Sequence, residues 1–150
     1  MASKRENQKK IMWLNRYRKL DAEINRKCEE LSRWRSRAEK ITPALSKAPG
    51  GGGNGDRIAD AVEKIVSIEE EINADVDRLI SIRGEVEKAI KSVPDETLRT
   101  LLELRYIDGL TWERIAVKLD KSYQWVCELH GRALKKIPNH LIVIDTPSVV

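Results

Sequence analysis

Between Ile58 and Val93 the apolar residues never fall more than four positions apart. The series Ile58, Val62, Ile65, Ile68, Ile72, Val76, Leu79, Ile82, Val86, Ile90 and Val93 takes ten steps over 35 residues, a mean of 3.5. A strand would alternate every two residues and a straight surface helix every 3.6; a period of 3.5 belongs to supercoiled helices. Asp56 is placed to cap such a helix and Pro94 to stop it. The helix would be on the order of 55 Å long at ~1.5 Å per residue. Its stripe needs a partner, because each Ile or Leu taken out of water contributes roughly 1.5–3 kcal/mol.

The nearest partner precedes it. From about Lys4 to Ile41 apolar side chains recur in steps of three and four, through Leu14, Tyr17, Leu20, Ile24, Cys28, Leu31, Trp34, Ala38 and Ile41, and on to Leu45. Ser3 or Asn7 is a suitable start, and Pro43, which disfavours a helical Thr42, is the expected end, with Pro49 repeating the punctuation. Two helices of similar length, joined by a Gly-rich loop over residues 49–56, predict an antiparallel hairpin. A two-helix hairpin covers its stripe incompletely, so a second copy is expected to complete a four-helix bundle. The glycines themselves lack the Lys-Ser/Thr that a phosphate-binding loop needs, and a flexible linker is the better account of them.

Charge is divided along the chain. Residues 1–40 carry a net of +7, residues 56–93 a net of −4, and residues 114–137 a net of +4. A basic arm against an acidic arm suits the hairpin, and the last basic zone suggests a polyanionic partner. The N-terminal run SKRENQKK, with Arg16, Arg18 and Lys19, reads first as a solvated helix end and second as a further DNA-binding arm. Cys28 and Cys127 lie far apart with no metal-ligand spacing, so neither a disulfide framework nor a zinc site is expected. His130 and His140 likewise have no ligand partner. No apolar run resembles a signal peptide or a membrane span, which suggests a cytoplasmic protein without membrane contact. No acid/base pair, nucleophile arrangement or cofactor loop is evident, so neither catalysis nor a cofactor is expected.

The stretch TWERIAVKLDKSYQWV, residues 111–126, carries two helix starts almost back to back. Asp95 and Glu96 open a first helix that IDG closes. Thr111 caps a short second helix, Trp112 to Leu119. Ser122 caps a third, Tyr123 to about Lys136. Ile115, Ala116 and Leu119 face inward on the second helix; Val126, Leu129, Ala133 and Ile137 do so on the third. A small residue where two helices cross steeply is the mark of a helix-turn-helix. The face left over on the third helix offers Tyr123, Gln124, Cys127 and Glu128 to base edges, with Gly131 beside them. Arg114, Lys118, Lys121, Ser122, Arg132, Lys135 and Lys136 are placed for phosphates. Cys127 reads as a small neutral contact rather than an oxidation sensor. Trp13, Trp34 and Trp112 read as packing residues, while Trp125 stays open between packing and DNA.

Residues 101–137 resemble region 4 of the sigma-70-type RNA polymerase sigma factors, through LRY..GLTW..IA and S...V..LH.RALKK. Over most of residues 15–137 the chain is similar to small phage- and prophage-encoded sigma-like proteins related to the RinA and ArpU late transcription activators. The resemblance implies promoter DNA binding and control of phage genes. Tyr123, Gln124, Cys127 and Glu128 fall where region 4 meets the bases of the −35 element. Asp120 stands where a Gly is common in the turn, and Trp125 where a basic residue is frequent. Nothing matches the sigma regions that melt DNA, so the chain would position or recruit polymerase, or repress.

The expected whole is all-α: residues 1–93 a long antiparallel coiled-coil hairpin serving oligomerisation, residues 94–137 a three-helix helix-turn-helix domain, and residues 138–150 a tail that packs on a neighbour, pairs as an edge strand or stays disordered. The expected partners are double-stranded DNA, a second copy of the chain, and RNA polymerase. Two alternatives remain: an adaptor that docks on polymerase without binding DNA itself, and a small terminase-like DNA-packaging subunit.

Overall fold

The computed structural model describes residues 4–47 and 52–143, and among those residues the regular elements are helices, with no strand. The elements are α1 (Lys4–Leu14), α2 (Arg16–Lys47), α3 (Gly52–Lys91), α4 (Glu96–Tyr106), α5 (Trp112–Leu119) and α6 (Tyr123–Lys136), then a 3-10 turn over Asn139–Leu141. The all-α architecture expected from periodicity is the one observed.

Three boundaries differ from expectation. The first long helix bends at Asn15. Its hydrogen bonding continues across the bend, from Asn15 N–H to the Ile11 carbonyl and from Lys19 N–H to the Asn15 carbonyl, both 2.9 Å. Pro43 does not end α2, which stays helical to Lys47. A proline removes one hydrogen bond and costs about 3 kcal/mol locally, a penalty that a helix of 32 residues can absorb. Asp56 is not a cap, since α3 already begins at Gly52. Glycine costs about 1 kcal/mol in a helix, and extending an existing helix is far easier than nucleating one. Asn7 lies inside α1. Ser3, Pro49, Gly50, Gly51 and the tail from Ile144 fall outside the described residues.

The chain forms two compact units, residues 20–79 and residues 1–19 with 80–150. The first is the hairpin of α2 and α3. Leu20, Ile24 and Leu31 are buried on one helix, Ala61 and Ile68 on the other. The helices run antiparallel: Lys27 pairs with Asp75 at 2.6 Å, and Arg35, further along α2, pairs with Glu69, further back on α3, at 2.6 Å. The basic arm therefore does meet the acidic arm. Cys28, expected in the stripe, is exposed. Its neighbour Lys27 turns inward instead, because Asp75 is only 8% exposed and needs a counter-charge. That hydrogen bond raises the Lys27 pKa above its ordinary value.

The second unit contains α1, the last three turns of α3, and α4 to α6. Its core joins Trp13 and Leu14 to Val86, Ala89, Ile90 and Val93, and these to Leu98, Leu101, Leu102, Ile115, Val126, Leu129 and Ala133. The stripe on α3 thus serves two cores, the hairpin's and this one. Leu141 and Ile142 pack at the edge of this core, so the chain just after α6 is held against its own unit. Among the described residues no helix is long and apolar enough to cross a membrane, and no group of three His, Cys, Asp or Glu could hold a metal.

The Lys27–Asp75 pair generates a test. Lys27→Met should lower the melting temperature by leaving the buried Asp75 carboxylate only the Arg78 guanidinium, 3.7 Å away, while adding Asp75→Leu should recover most of the loss, since a packed apolar pair replaces a charge pair at little cost. Thermal melts of the two variants check this; a Lys27→Met protein that melts like the wild type would contradict it.

Candidate nucleic-acid interface

The interface is built on three capped helices. Asp95 accepts from Leu98 N–H at 3.1 Å and starts α4. After α4 the backbone turns at Gly109, whose φ of +76° suits a residue without Cβ and whose open side is filled by the Arg18 guanidinium. Thr111 Oγ1 accepts from Arg114 N–H at 3.3 Å and starts α5. Ser122 Oγ accepts from Trp125 N–H at 3.1 Å and starts α6. Between α5 and α6, Asp120 adopts φ 55°, ψ 49°, the left-handed conformation that ends a helix, and Lys121 N–H reaches back to the Ala116 carbonyl at 2.9 Å. The aspartate found where a Gly is common therefore makes the same turn.

Packing then decides which side of α6 faces out. Val126, Leu129, Ala133 and Leu134 are buried, and Ala116, 7% exposed, lets α5 approach closely. At the C-terminal end of α6 the buried Lys10 ammonium of α1 donates to the Leu134 carbonyl at 2.8 Å. That carbonyl also accepts from Ile137 N–H at 3.2 Å, and a cation there suits the negative end of the helix. Burial lowers the Lys10 pKa.

A polar knot stiffens the middle. Tyr106 and His130 share a hydrogen bond of 2.6 Å between the phenol oxygen and Nε2. The Trp112 ring lies 4.5 Å from the imidazole, and Arg105 stacks 4.4 Å over Trp112 while donating to the Leu110 carbonyl at 3.1 Å. Burial, and secondarily the Arg105 charge, lowers His130 to about 4. Burial also raises the Tyr106 phenol. A neutral imidazole beside a phenol that keeps its proton fits Tyr106 donating to Nε2. The knot ties α4, α5 and α6 together. Tyr106 and His130 are 24 positions apart; both fall in the motifs that resemble sigma region 4, but nothing in the sequence shows that they meet, or that Lys10 meets Leu134.

The candidate reading residues Tyr123, Gln124, Cys127 and Glu128 are all exposed on α6, with Tyr123 at 51%. Gly131 lies beside them with open space where a Cβ would stand. Arg114 and Lys118 on α5, Lys121 and Ser122 in the turn, and Arg132, Lys135 and Lys136 on α6 are exposed as well. None of these cations forms an ion pair with a described residue. Cys127, one turn below Tyr123, raises the Tyr123 pKa by its charge and then by its hydrogen bond. Trp125 is half-buried at the core's edge with the Lys121 ammonium 4.6 Å over its ring, so its ring does pack. The arrangement presents polar side chains with unpaired cations on an otherwise rigid support.

Residues 91–138 match the family model for sigma-70, region 4. No curated protein and no solved structure matches the chain. The matched segment is a sigma region 4-like helix-turn-helix, and the family it matches is one of DNA-binding regulatory domains. It spans α4 to α6 and leaves α1, α2 and nearly all of α3 outside.

Two tests follow from this geometry. Asp120→Gly should stabilise the fold by up to roughly 1 kcal/mol by relieving a left-handed L-residue, less than Ala would gain because Asp tolerates that region; Asp120→Val should destabilise it, and urea titration measures both. His130 gives a pH dependence. Its folded value near 4 lies below the ordinary 6.5, so the unfolded chain takes up a proton that the folded chain refuses between those values. The stability it contributes is complete above pH 6.5 and is lost as pH falls toward 4. Melting temperature followed over that range should drop more steeply in the wild type than in His130→Gln.

Proposed function

We propose that the protein is a sequence-specific transcription regulator that binds promoter DNA through α6 and positions or recruits RNA polymerase, as the phage-encoded activators it resembles would. The observation that supports this most is the pairing of an exposed polar face with a cationic frame: Tyr123, Gln124, Cys127 and Glu128 are exposed while Arg114, Lys118, Lys121, Arg132, Lys135 and Lys136 stand near them without an acidic partner among the described residues. Gln pairs readily with adenine and Glu accepts from cytosine. The flanking cations, with the Ser122 hydroxyl, meet phosphates and set register without reading sequence.

A dimer completes the proposal. Val62 and Val66 on α3 are 49% and 46% exposed, more apolar surface than the hairpin covers by itself. A second copy covering that edge would give two reading helices and half-sites about one helical turn, or a multiple, apart. The division into a hairpin arm over residues 1–93, a reading domain over residues 94–137 and a tail belongs to the same proposal. A ring of many copies would favour the packaging subunit instead, and mass determination in solution separates the two.

A second reading is favoured by Val117. It is 82% exposed on α5, in a shallow hollow with Leu110, Glu113, Arg114 and Lys118. An apolar side chain so exposed in a basic setting suits protein contact, and polymerase is the candidate. Val117→Ser should weaken co-elution with polymerase while leaving free-DNA binding unchanged.

The decisive experiment is titration of labelled duplex at several salt concentrations with a randomised site and its enriched winner. Release of about four counterions per subunit gives a log–log slope of roughly −3.6. Gln124→Ala and Glu128→Ala should change which bases are preferred, at about 1–3 kcal/mol per lost contact. Arg132→Ala and Lys135→Ala should weaken all sequences alike. Equal affinity for random and selected DNA in every variant would rule out sequence readout.

A further inference from the structure

Helix α1 lies outside the segment that matches sigma region 4, yet it borders the exposed face of α6. Two contacts locate it. Ile11 and Asn15 line one hollow together with Cys127 and His130. Lys10 Nζ reaches the Leu134 carbonyl at 2.8 Å. As numbers fall along α1 they rise along α6, so the two helices run antiparallel, and Trp13 and Leu14 anchor α1 in the common core.

The residues that flank this contact form a stripe. Lys4, Gln8, Ile11 and Asn15 are spaced four, three and four, which puts them on one side of α1. Ile11 and Asn15 mark that side as the one turned toward Cys127, a member of the exposed α6 face. Gln8 and Lys4 continue the same side toward the end of α6, where Lys135 and Lys136 are exposed. Lys4, Gln8 and Asn15 are exposed themselves, and Arg5 and Lys9 beside them are too. None of these side chains has an ion-pair or hydrogen-bond partner among the described residues. The acid of α1, Glu6, stands one turn before Lys10 on the opposite flank, so the stripe holds a cation and two amides with no carboxylate between them.

We propose that α1 is a second wall of the DNA interface, with Lys4, Gln8 and Asn15 contacting the sugar-phosphate backbone of the same duplex that α6 reads. The inference rests on the DNA-binding reading of α6. Amides and ammonium groups without acidic neighbours are the chemistry that phosphate oxygens select. A wall set by the Lys10–Leu134 contact would hold the backbone at a defined distance from the reading helix. It gives the basic N-terminal run, otherwise a solvated helix end, a role in register and affinity but none in base choice.

The test uses the full chain and the duplex selected above. Lys4→Ala should bind about threefold to tenfold more weakly at low salt and flatten the salt slope by about 0.9, the share of one released counterion. Lys4→Glu should lose more, and Gln8→Ala and Asn15→Ala should lose affinity without altering the slope. The three side chains altered are all exposed, so melting temperature should stay within error. Lys64→Glu, an exposed lysine of the hairpin, controls for net charge. The proposal is overturned if Lys4→Glu binds like the wild type while Lys135→Ala is weakened, which leaves the α6 reading intact. It is also overturned if Lys64→Glu loses as much as Lys4→Glu. A wild-type chain that retains no duplex at all removes the α6 reading and this inference together.

Discussion

The helix-turn-helix depends on one constraint: α6 can offer a face to a ligand only because its opposite face is fully committed. Val126, Leu129, Ala133 and Leu134 are buried against α4, α5 and α1, and they fix the helix about its own axis. Each of these residues contributes on the order of 1–3 kcal/mol by leaving water, so a rotation of α6 by even one position would expose several of them at once. Exposure of Tyr123, Gln124 and Glu128 is thus a consequence of packing on the other side. The caps at Thr111 and Ser122 then set where α5 and α6 begin, which fixes how far the first turn of α6 projects.

Polar groups finish what apolar burial cannot. Hydrophobic contact is non-directional and leaves sliding along the helix axes inexpensive. The Tyr106–His130 hydrogen bond and the Lys10–Leu134 contact are directional, and a buried donor or acceptor left unmatched costs roughly 1–3 kcal/mol. One ties α4 to the middle of α6 and the other ties α1 to its end. Trp13 Nε1 is the one buried side-chain donor without a partner among the described residues, and the Arg16 guanidinium stacks 4.5 Å over its ring.

How much was legible in the sequence follows from the range of each interaction. Caps are local: Asp95, Thr111 and Ser122 each act within three residues, and all three helix starts were readable. Periodicity gave the buried faces of α5 and α6, and the pairing of a basic with an acidic arm gave the hairpin. Long-range pairing was invisible. Nothing in a helical pattern shows that Lys10 meets a carbonyl 124 positions away, or that Tyr106 meets His130. The same limit explains Cys28. Its spacing fits the stripe, but the buried Asp75 on the facing helix draws Lys27 inward, and the periodic count had no access to that charge. Helix breakers mislead for a related reason, since Pro43 and the glycines from Gly52 impose local penalties that a long helix outlasts.

The stripe on α3 holds a consequence that its regular spacing conceals. A single period runs unbroken from Ile58 to Val93, yet its members belong to different cores: Ile68 is buried in the hairpin, while Val86, Ile90 and Val93 are buried beneath the helix-turn-helix. One helix therefore carries residues of two compact units, and α2 does the same through Arg16 and Leu20. Substitutions in the middle of α3 would act on the hairpin alone, whereas those near its end would reach the support of α6. The exposed face of α6 and the apolar edge at Val62 and Val66 thus belong to different compact units, and a partner that bound either could be tested without altering the core of the other.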